Sequence, residues 1–341
     1  MRVMSGETLG RLTSDAASMA ARVQFLWHGG EPLLAGSTFF GEALRLQGSG
    51  GAIFENLVQT NGTLLDEHWA RFFALHGFQV RLSLDGPQVV HDLHRRNGAG
   101  RGSHVQVTAA IRLLREVGIA PQVSCVVTEQ TAPRITEVYE FLRDEGIAEI
   151  SFIPAFLRVD GAVHETTLTP ASFVRVYSTL FNLWAEDRQE VRVREVEAMV
   201  SGLVGHPTGD CTFTGACALI VRVEADGTVL PCELHTGEDA EAYGRVGEEP
   251  LSEILARRFN GRIARLSRQV QSSVAVHNCR WSRLCHGGCY ATHAARRDGP
   301  QGYFYCCEAR GEVFSYISSR LEALVGIPQV SEASNRPPVV A

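Results

Sequence analysis

At 341 residues, with 45% hydrophobic side chains and a formal net charge of −6, the chain has room for two globular domains and a sizeable core. The negative balance gives no nucleic-acid footprint, and the arginines from Arg257 to Arg268 read as a solvated helix face. No apolar run is long enough to span a membrane and Met1 opens no signal peptide, so a cytoplasmic protein with reduced thiols is expected.

Ser5 caps a helix reaching about Arg22, with Leu9, Leu12, Ala16 and Met19 on one face. A pattern then repeats. Val23 to Trp27 is a short apolar strand, followed by the Gly29-Gly30 turn and a helix from Ser37 to about Leu46. Ile53 to Gln59 is a strand, Thr60-Asn61-Gly62 a turn, and Asp66 to His76 a helix. Phe78 to Leu84 is a strand, Asp85-Gly86-Pro87 a turn, and the next helix runs from about His104 to Val117. Pro121 to Val127 and Pro133 to Glu145 make another strand and helix, and Glu149 to Ile153 one more strand. Strands alternating with helices at this interval predict βαβ units and a parallel α/β sheet, five strands curling into part of a barrel. The turns after the strands gather at one end, where α/β folds place their ligands.

Thr169-Pro170 opens a helix to about Glu186, and Arg192 to Val204 reads as another. Leu219 to Val223 and Val229 to Pro231 flank the turn Ala225-Asp226-Gly227, a hairpin that delivers Cys232. Leu251 to Phe259 and Glu312 to Leu324 are helical, and the Ser- and Pro-bearing segment from Pro328 reads as a loose tail. The expected division is a partial barrel over 1–190, a cysteine-rich domain over 191–325 and a tail over 326–341.

Eight of the nine cysteines fall between Cys211 and Cys307. They stand as Cys211, Cys217 and Cys232, then Cys279, Cys285 and Cys289, and last the pair Cys306-Cys307. Thiolates so close together are soft ligands suited to zinc or iron–sulfur clusters. Disulfides suit short secreted chains instead. A zinc ribbon wants Cys-x-x-Cys knuckles, which are absent, so the open spacings favour iron–sulfur clusters. The ninth, Cys125, lies on a predicted core strand and reads as a buried apolar-like residue.

The loops Trp27-His-Gly-Gly-Glu-Pro-Leu-Leu34, Gln59-Thr-Asn-Gly62 and Ser83-Leu-Asp-Gly-Pro87 resemble the radical S-adenosylmethionine (SAM) superfamily, and the cysteine-rich half resembles the SPASM extension of its peptide-modifying members. The resemblance runs from about Met4 to Ile317. It implies that Gly29, Gly30 and Glu31 hold the methionine end of SAM, glycines letting backbone approach an ammonium and a carboxylate matching its charge. Glu31 also reads as a helix-start residue. Ser83 and Arg95 resemble positions that hold the ribose and the carboxylate of SAM, although Arg95 alone also reads as a surface arginine. Asn61 and Phe156 would line the same cleft, and Phe156 equally suits a core.

The same resemblance implies that Cys211, Cys217, Cys232 and Cys289 hold a first auxiliary [4Fe-4S] cluster, as in the anaerobic sulfatase-maturing enzymes. A second would use Cys279, Cys285 and Cys307, with Val276 where a fourth cysteine is expected. His277 or Cys306 could supply the missing ligand, the iron could keep an open position, or the site could be empty. Glu233 stands where those maturases have an aspartate that takes a proton from the substrate; it is either that base or a structural carboxylate.

No Cys-x-x-x-Cys-x-x-Cys, the family's motif for the SAM-cleaving cluster, occurs in the chain. The family places it just before a segment like Met4-Ser-Gly-Glu-Thr8, with the first barrel strand ahead of it, so that strand is expected to be missing too. Either the start at Met1 is misassigned or truncated, or the chain is a remnant without radical chemistry. The resemblance implies a SAM-dependent peptide maturase forming cross-links or cyclophanes, served by a flavodoxin or ferredoxin. The alternatives are a formylglycine-generating sulfatase maturase, a non-catalytic cluster-carrying peptide binder, and a zinc-binding interaction module.

Overall fold

The computed structural model describes residues 2–159, 162–187, 191–214, 217, 220–234, 240–272, 278–290 and 307–325. Ser5 accepts a hydrogen bond from the Thr8 amide and opens α1 (Gly6–Met19). Leu9 is buried as expected, whereas Met19, in the last turn, is exposed.

Five strands then alternate with helices: β1 (Arg22–Trp27), α2 (Ser37–Gly48), β2 (Ile53–Thr60), α3 (Glu67–His76), β3 (Gln79–Ser83), α4 (Gln88–His94), α5 (His104–Glu116), β4 (Gln122–Val127), α6 (Ile135–Asp144) and β5 (Glu149–Pro154). Asp66 caps α3 through the Trp69 amide, and Gly77 ends it in the left-handed region at φ 66°. Every neighbouring pair is parallel, in the order β1-β2-β3-β4-β5. A hairpin of β6 (Arg158–Val159) and β7 (Ala162–Val163) and the long helix α7 (Pro170–Glu186) follow.

Two expectations need correction. The sheet has six strands, because β8 (Arg192–Val193) pairs with β5 at Glu149 and Ile150. The helix expected from Arg192 therefore begins two residues later, as α8 (Arg194–Leu203). A strand of two residues shows no alternation, so only its pairing reveals it. The short α4 was likewise not anticipated.

Strand alternation divides the wall. Val58, Val80, Leu82, Val123, Ile150 and Phe152 are buried in one core with residues of the covering helices, among them Phe73, Ile111 and Tyr139. Cys125 joins that core as expected, and burial raises its thiol pKa well above the usual value. The opposite face is polar and internally bonded: Arg81 donates to Gln122 and Glu149 at 2.7 and 2.8 Å, and Arg192 donates to the other Glu149 oxygen at 2.9 Å.

Beyond α8 come α9 (Cys211–Thr214), an antiparallel sheet of β9 (Val221–Val223), β10 (Thr228–Pro231) and β11 (Gly244–Arg245), then α10 (Leu251–Arg257), α11 (Arg262–Ser272), α12 (Ser282–Cys285) and α13 (Cys307–Val325). Val229, Tyr243, Val246, Leu251 and Ile254 form a second small core, against which Leu12 and Ala16 of α1 pack. Helix α13 returns to α7, where Tyr316 and Asn182 exchange hydrogen bonds of 2.8 and 3.0 Å. Among the described residues no helix is long and apolar enough to cross a membrane.

Candidate active site

All six strands run the same way, so the loops after β1, β2 and β3 meet at one mouth. Trp27, the last residue of β1, packs edge-on against Phe39 and Phe40 at 5.7 and 5.5 Å and donates from its indole to Asn56 at 2.9 Å. The loop it anchors turns at Gly29 (φ 97°) and Gly30 (φ 59°). Both are exposed and an added Cβ would touch nothing, so backbone conformation rather than crowding calls for glycine there. Glu31 is buried. One carboxylate oxygen accepts from the Leu33 amide at 3.1 Å and the Thr60 hydroxyl at 2.6 Å, the other from the Asn61 amide at 2.9 Å. It is thus a helix-start residue, and it also ties the first loop to the second.

Gln59 donates to the Ser83 hydroxyl at 3.2 Å and accepts from that of Ser124 at 3.3 Å, a row crossing β2, β3 and β4. Asn61 is exposed and its side-chain oxygen accepts from the Thr63 amide. Both arms of the Arg95 guanidinium hold Asp85, at 2.5 and 3.1 Å, and Asp85 also accepts from the Val126 amide at 2.9 Å. Arg95 is therefore no loose surface arginine. Beside it, buried His91 accepts from the Asp85 amide through Nδ1 (3.2 Å) and lies 2.9 Å from Ser103 Oγ through Nε2; burial lowers its pKa to about 4, so the ring is neutral. Phe156 is half-buried. Leu26 and Ile153, near the carboxyl ends of β1 and β5, are 53% and 41% exposed, leaving apolar surface at the mouth.

Glu233, expected as a base or a structural carboxylate, joins barrel and cysteine region, and Glu195, which was not anticipated, anchors α8 to β5. Glu233 Oε2 lies 2.9 Å from His28 Nδ1, directly linking the glycine loop to the residue after Cys232. The hydrogen bond lowers the Glu233 pKa and raises that of His28, each shift favouring the charged form of its group. Glu195, at the start of α8, accepts from the Ser151 hydroxyl and, at 2.9 Å, from the Phe152 amide, which lies beyond the end of β8. Burial pushes its pKa up to about 7.

Cys211 and Cys217 lie within electrostatic reach of Cys232 and Cys289, and Cys307 within reach of Cys285 and Cys279. Burial first, then neighbouring charges, pushes the Cys211 and Cys217 thiols up to about 12. The eight described cysteines stand as thiols. Among the described residues no three ligands approach closely enough for one metal ion, while sulfurs around a four-iron cubane stand farther apart. Four thiols in one group are the donor set a [4Fe-4S] cluster takes. Val276, His277 and Cys306 lie outside the described residues.

Residues 1–147 match the family model of the Radical SAM superfamily, so the chain carries a radical SAM domain and is an enzyme of radical SAM type. It is also maturase-like. A cysteine-type anaerobic sulfatase-maturating enzyme of Clostridium perfringens is 29% identical over 330 residues, covering 94% of this chain and 88% of its own. A serine-type enzyme of Bacteroides thetaiotaomicron is 26% identical over 342 residues, covering 94% and 82%. A solved structure of native anSMEcpe with bound AdoMet and a peptide superposes at TM-score 0.84 with 29% identity, over 94% of this chain and 91% of that one.

Proposed function

We propose that the protein is a peptide maturase that removes two hydrogens from a side chain of a ribosomal peptide and closes a cross-link there. The observation that carries this reading is the His28–Glu233 contact, which brings a carboxylate beside the cysteines to the glycine loop of the radical SAM domain. Gly29, Gly30, Glu31, Asn61, Ser83, Arg95 and Phe156 would hold SAM, the loops around the apolar Leu26–Ile153 surface suiting an amphipathic ligand. What SAM supplies, when bound and reductively cleaved, is a hydrogen-abstracting radical. The Cys-x-x-x-Cys-x-x-Cys motif for the cluster that delivers the cleaving electron does not occur in these 341 residues, whose first cysteine is Cys125, buried against the helices.

This chain's own part is to orient the peptide and take a proton. With its pKa lowered by His28, Glu233 stands ionised and can accept the proton left when the substrate has lost a hydrogen atom. The remaining electron would pass to the Cys211, Cys217, Cys232 and Cys289 group, with Cys279, Cys285 and Cys307 beyond it, and leave through an external carrier such as a flavodoxin or ferredoxin. The location is assigned to the cytoplasm, where such thiols stay reduced.

Native protein given SAM, reductant and a candidate precursor peptide anaerobically should yield a product two hydrogens lighter, with the new bond located by fragmentation. A second reading, formylglycine formation, is favoured by the 94% coverage with the sulfatase-maturating enzymes. Conversion of a Cys- or Ser-containing sulfatase peptide with no change in the precursor would select it.

A further inference from the structure

Arg310 stands one turn after Cys307 on α13 and is 6% exposed. Two other segments meet its guanidinium, α9 through Thr212 and Phe213 and α12 through Cys285. Nη1 donates to the Thr212 carbonyl, in the turn that carries Cys211, at 2.9 Å. The same nitrogen lies 3.5 Å from Cys285 Sγ. The guanidinium carbon sits 4.8 Å from the centroid of the Phe213 ring.

A buried charge is costly unless it is paired. A carbonyl and an aromatic face carry no net charge, and an ionisable side chain in contact with this cation is that of Cys285, through its sulfur. The guanidinium is thus placed to be neutralised by ligated thiolates. A cation and an N–H donor beside cluster sulfur stabilise an added electron, one of the levers by which proteins set cluster potentials.

We propose that Arg310 is a positioning residue for the auxiliary iron–sulfur centres: it holds the Cys211 turn against Cys285 and raises the reduction potential of the cluster bound there. This rests on the reading that these cysteines bind clusters. The event it biases is the uptake of one electron, from the substrate in turnover or from dithionite in a titration, with no bond made or broken at Arg310 and no proton moved.

The full chain, reconstituted anaerobically with iron and sulfide, is titrated with dithionite and followed by electron paramagnetic resonance, as wild type, Arg310→Gln and Arg310→Lys. Arg310→Gln should keep its iron while its reduction equilibrium falls roughly tenfold, which is about 59 mV for one electron. Arg310→Lys keeps the charge and should stay within about twofold of wild type, on the same scale. Equal potentials in all three proteins overturn the proposal. So does loss of iron from both variants, which would make Arg310 a support of the fold alone. A wild-type chain that takes up no iron fails earlier, at the cluster reading itself, and Arg310 falls with it.

Discussion

Glu233 reaches one methylene farther than the aspartate of the sulfatase maturases, and His28 takes hold of its end. Carboxylate placement governs proton transfer, so His28→Ala should lower kcat about tenfold to a hundredfold with KM little changed. Glu233→Gln should lower kcat further while leaving turnover measurable, and adding His28→Ala to it should cost nothing more. Additive losses in that cycle would mean that His28 acts elsewhere. Glu195 and His91 make a second prediction, with opposite signs. Glu195 holds its proton more tightly when folded, so its contribution to stability is full below pH 4.5 and is lost as pH rises to about 7. His91 holds its proton less tightly when folded, so its contribution is full above pH 6.5 and is lost as pH falls to about 4. Between those limits the two slopes offset. Glu195→Gln should leave stability rising with pH from 4.5 to 6.5, and His91→Gln should leave it falling, each by at most ~3 kcal/mol. Urea unfolding at several pH values within that window measures both; parallel profiles for the three proteins would refute the assignment.

Helix α13 clamps the cysteine region to the barrel. Its Val313, Phe314 and Ile317 are buried in the main core, and Phe314 packs against Phe213 and Trp281, which neighbour the cysteine segments, at 6.1 and 5.6 Å. Phe314→Ala should cost about 3–5 kcal/mol, since the rings around it cannot close the cavity. Hydrogen exchange should then quicken first in α9 and α12 rather than in the strands. The Asp85-Gly-Pro turn is a comparable stress point: Gly86 has φ 119°, and a Cβ there would lie 2.8 Å from a Val138 methyl. Gly86→Ala strains the backbone and pushes on α6 together.

Taken whole, the protein is a partial barrel whose mouth is faced by a cysteine region, with α1 packing on the small core of that region and α13 on α7. Iron content tests whether the cysteines work as two sets. Cys232→Ser should remove about four iron atoms per chain, and Cys285→Ser should remove a different set, so the double variant should lose the sum. Chelators should unfold the cysteine region before the barrel, because ligand bonds there contribute folding energy that the sheet does not need. Equal iron in Cys232→Ser and wild type would sink the first cluster assignment.

The βα period, the Ser5 cap, the three loops at the mouth and the cysteine spacings were legible in the chain, because each is a local pattern of a few residues. β8 was not, being two residues stabilised by Glu149 and Ile150 across the sheet. The partners of Glu31, Arg95, Glu233 and Arg310 were not legible either. Glu31 read foremost as a ligand group and only second as a helix start, and only folding brings Thr60 and Asn61 onto it. Arg310 is one arginine among 32 cationic residues until α13 carries it to Cys285. Periodicity and capping depend on neighbours in sequence, which composition and order specify. Charge pairing and burial depend on which distant segments meet, and that is decided when the sheet, α7 and α13 pack.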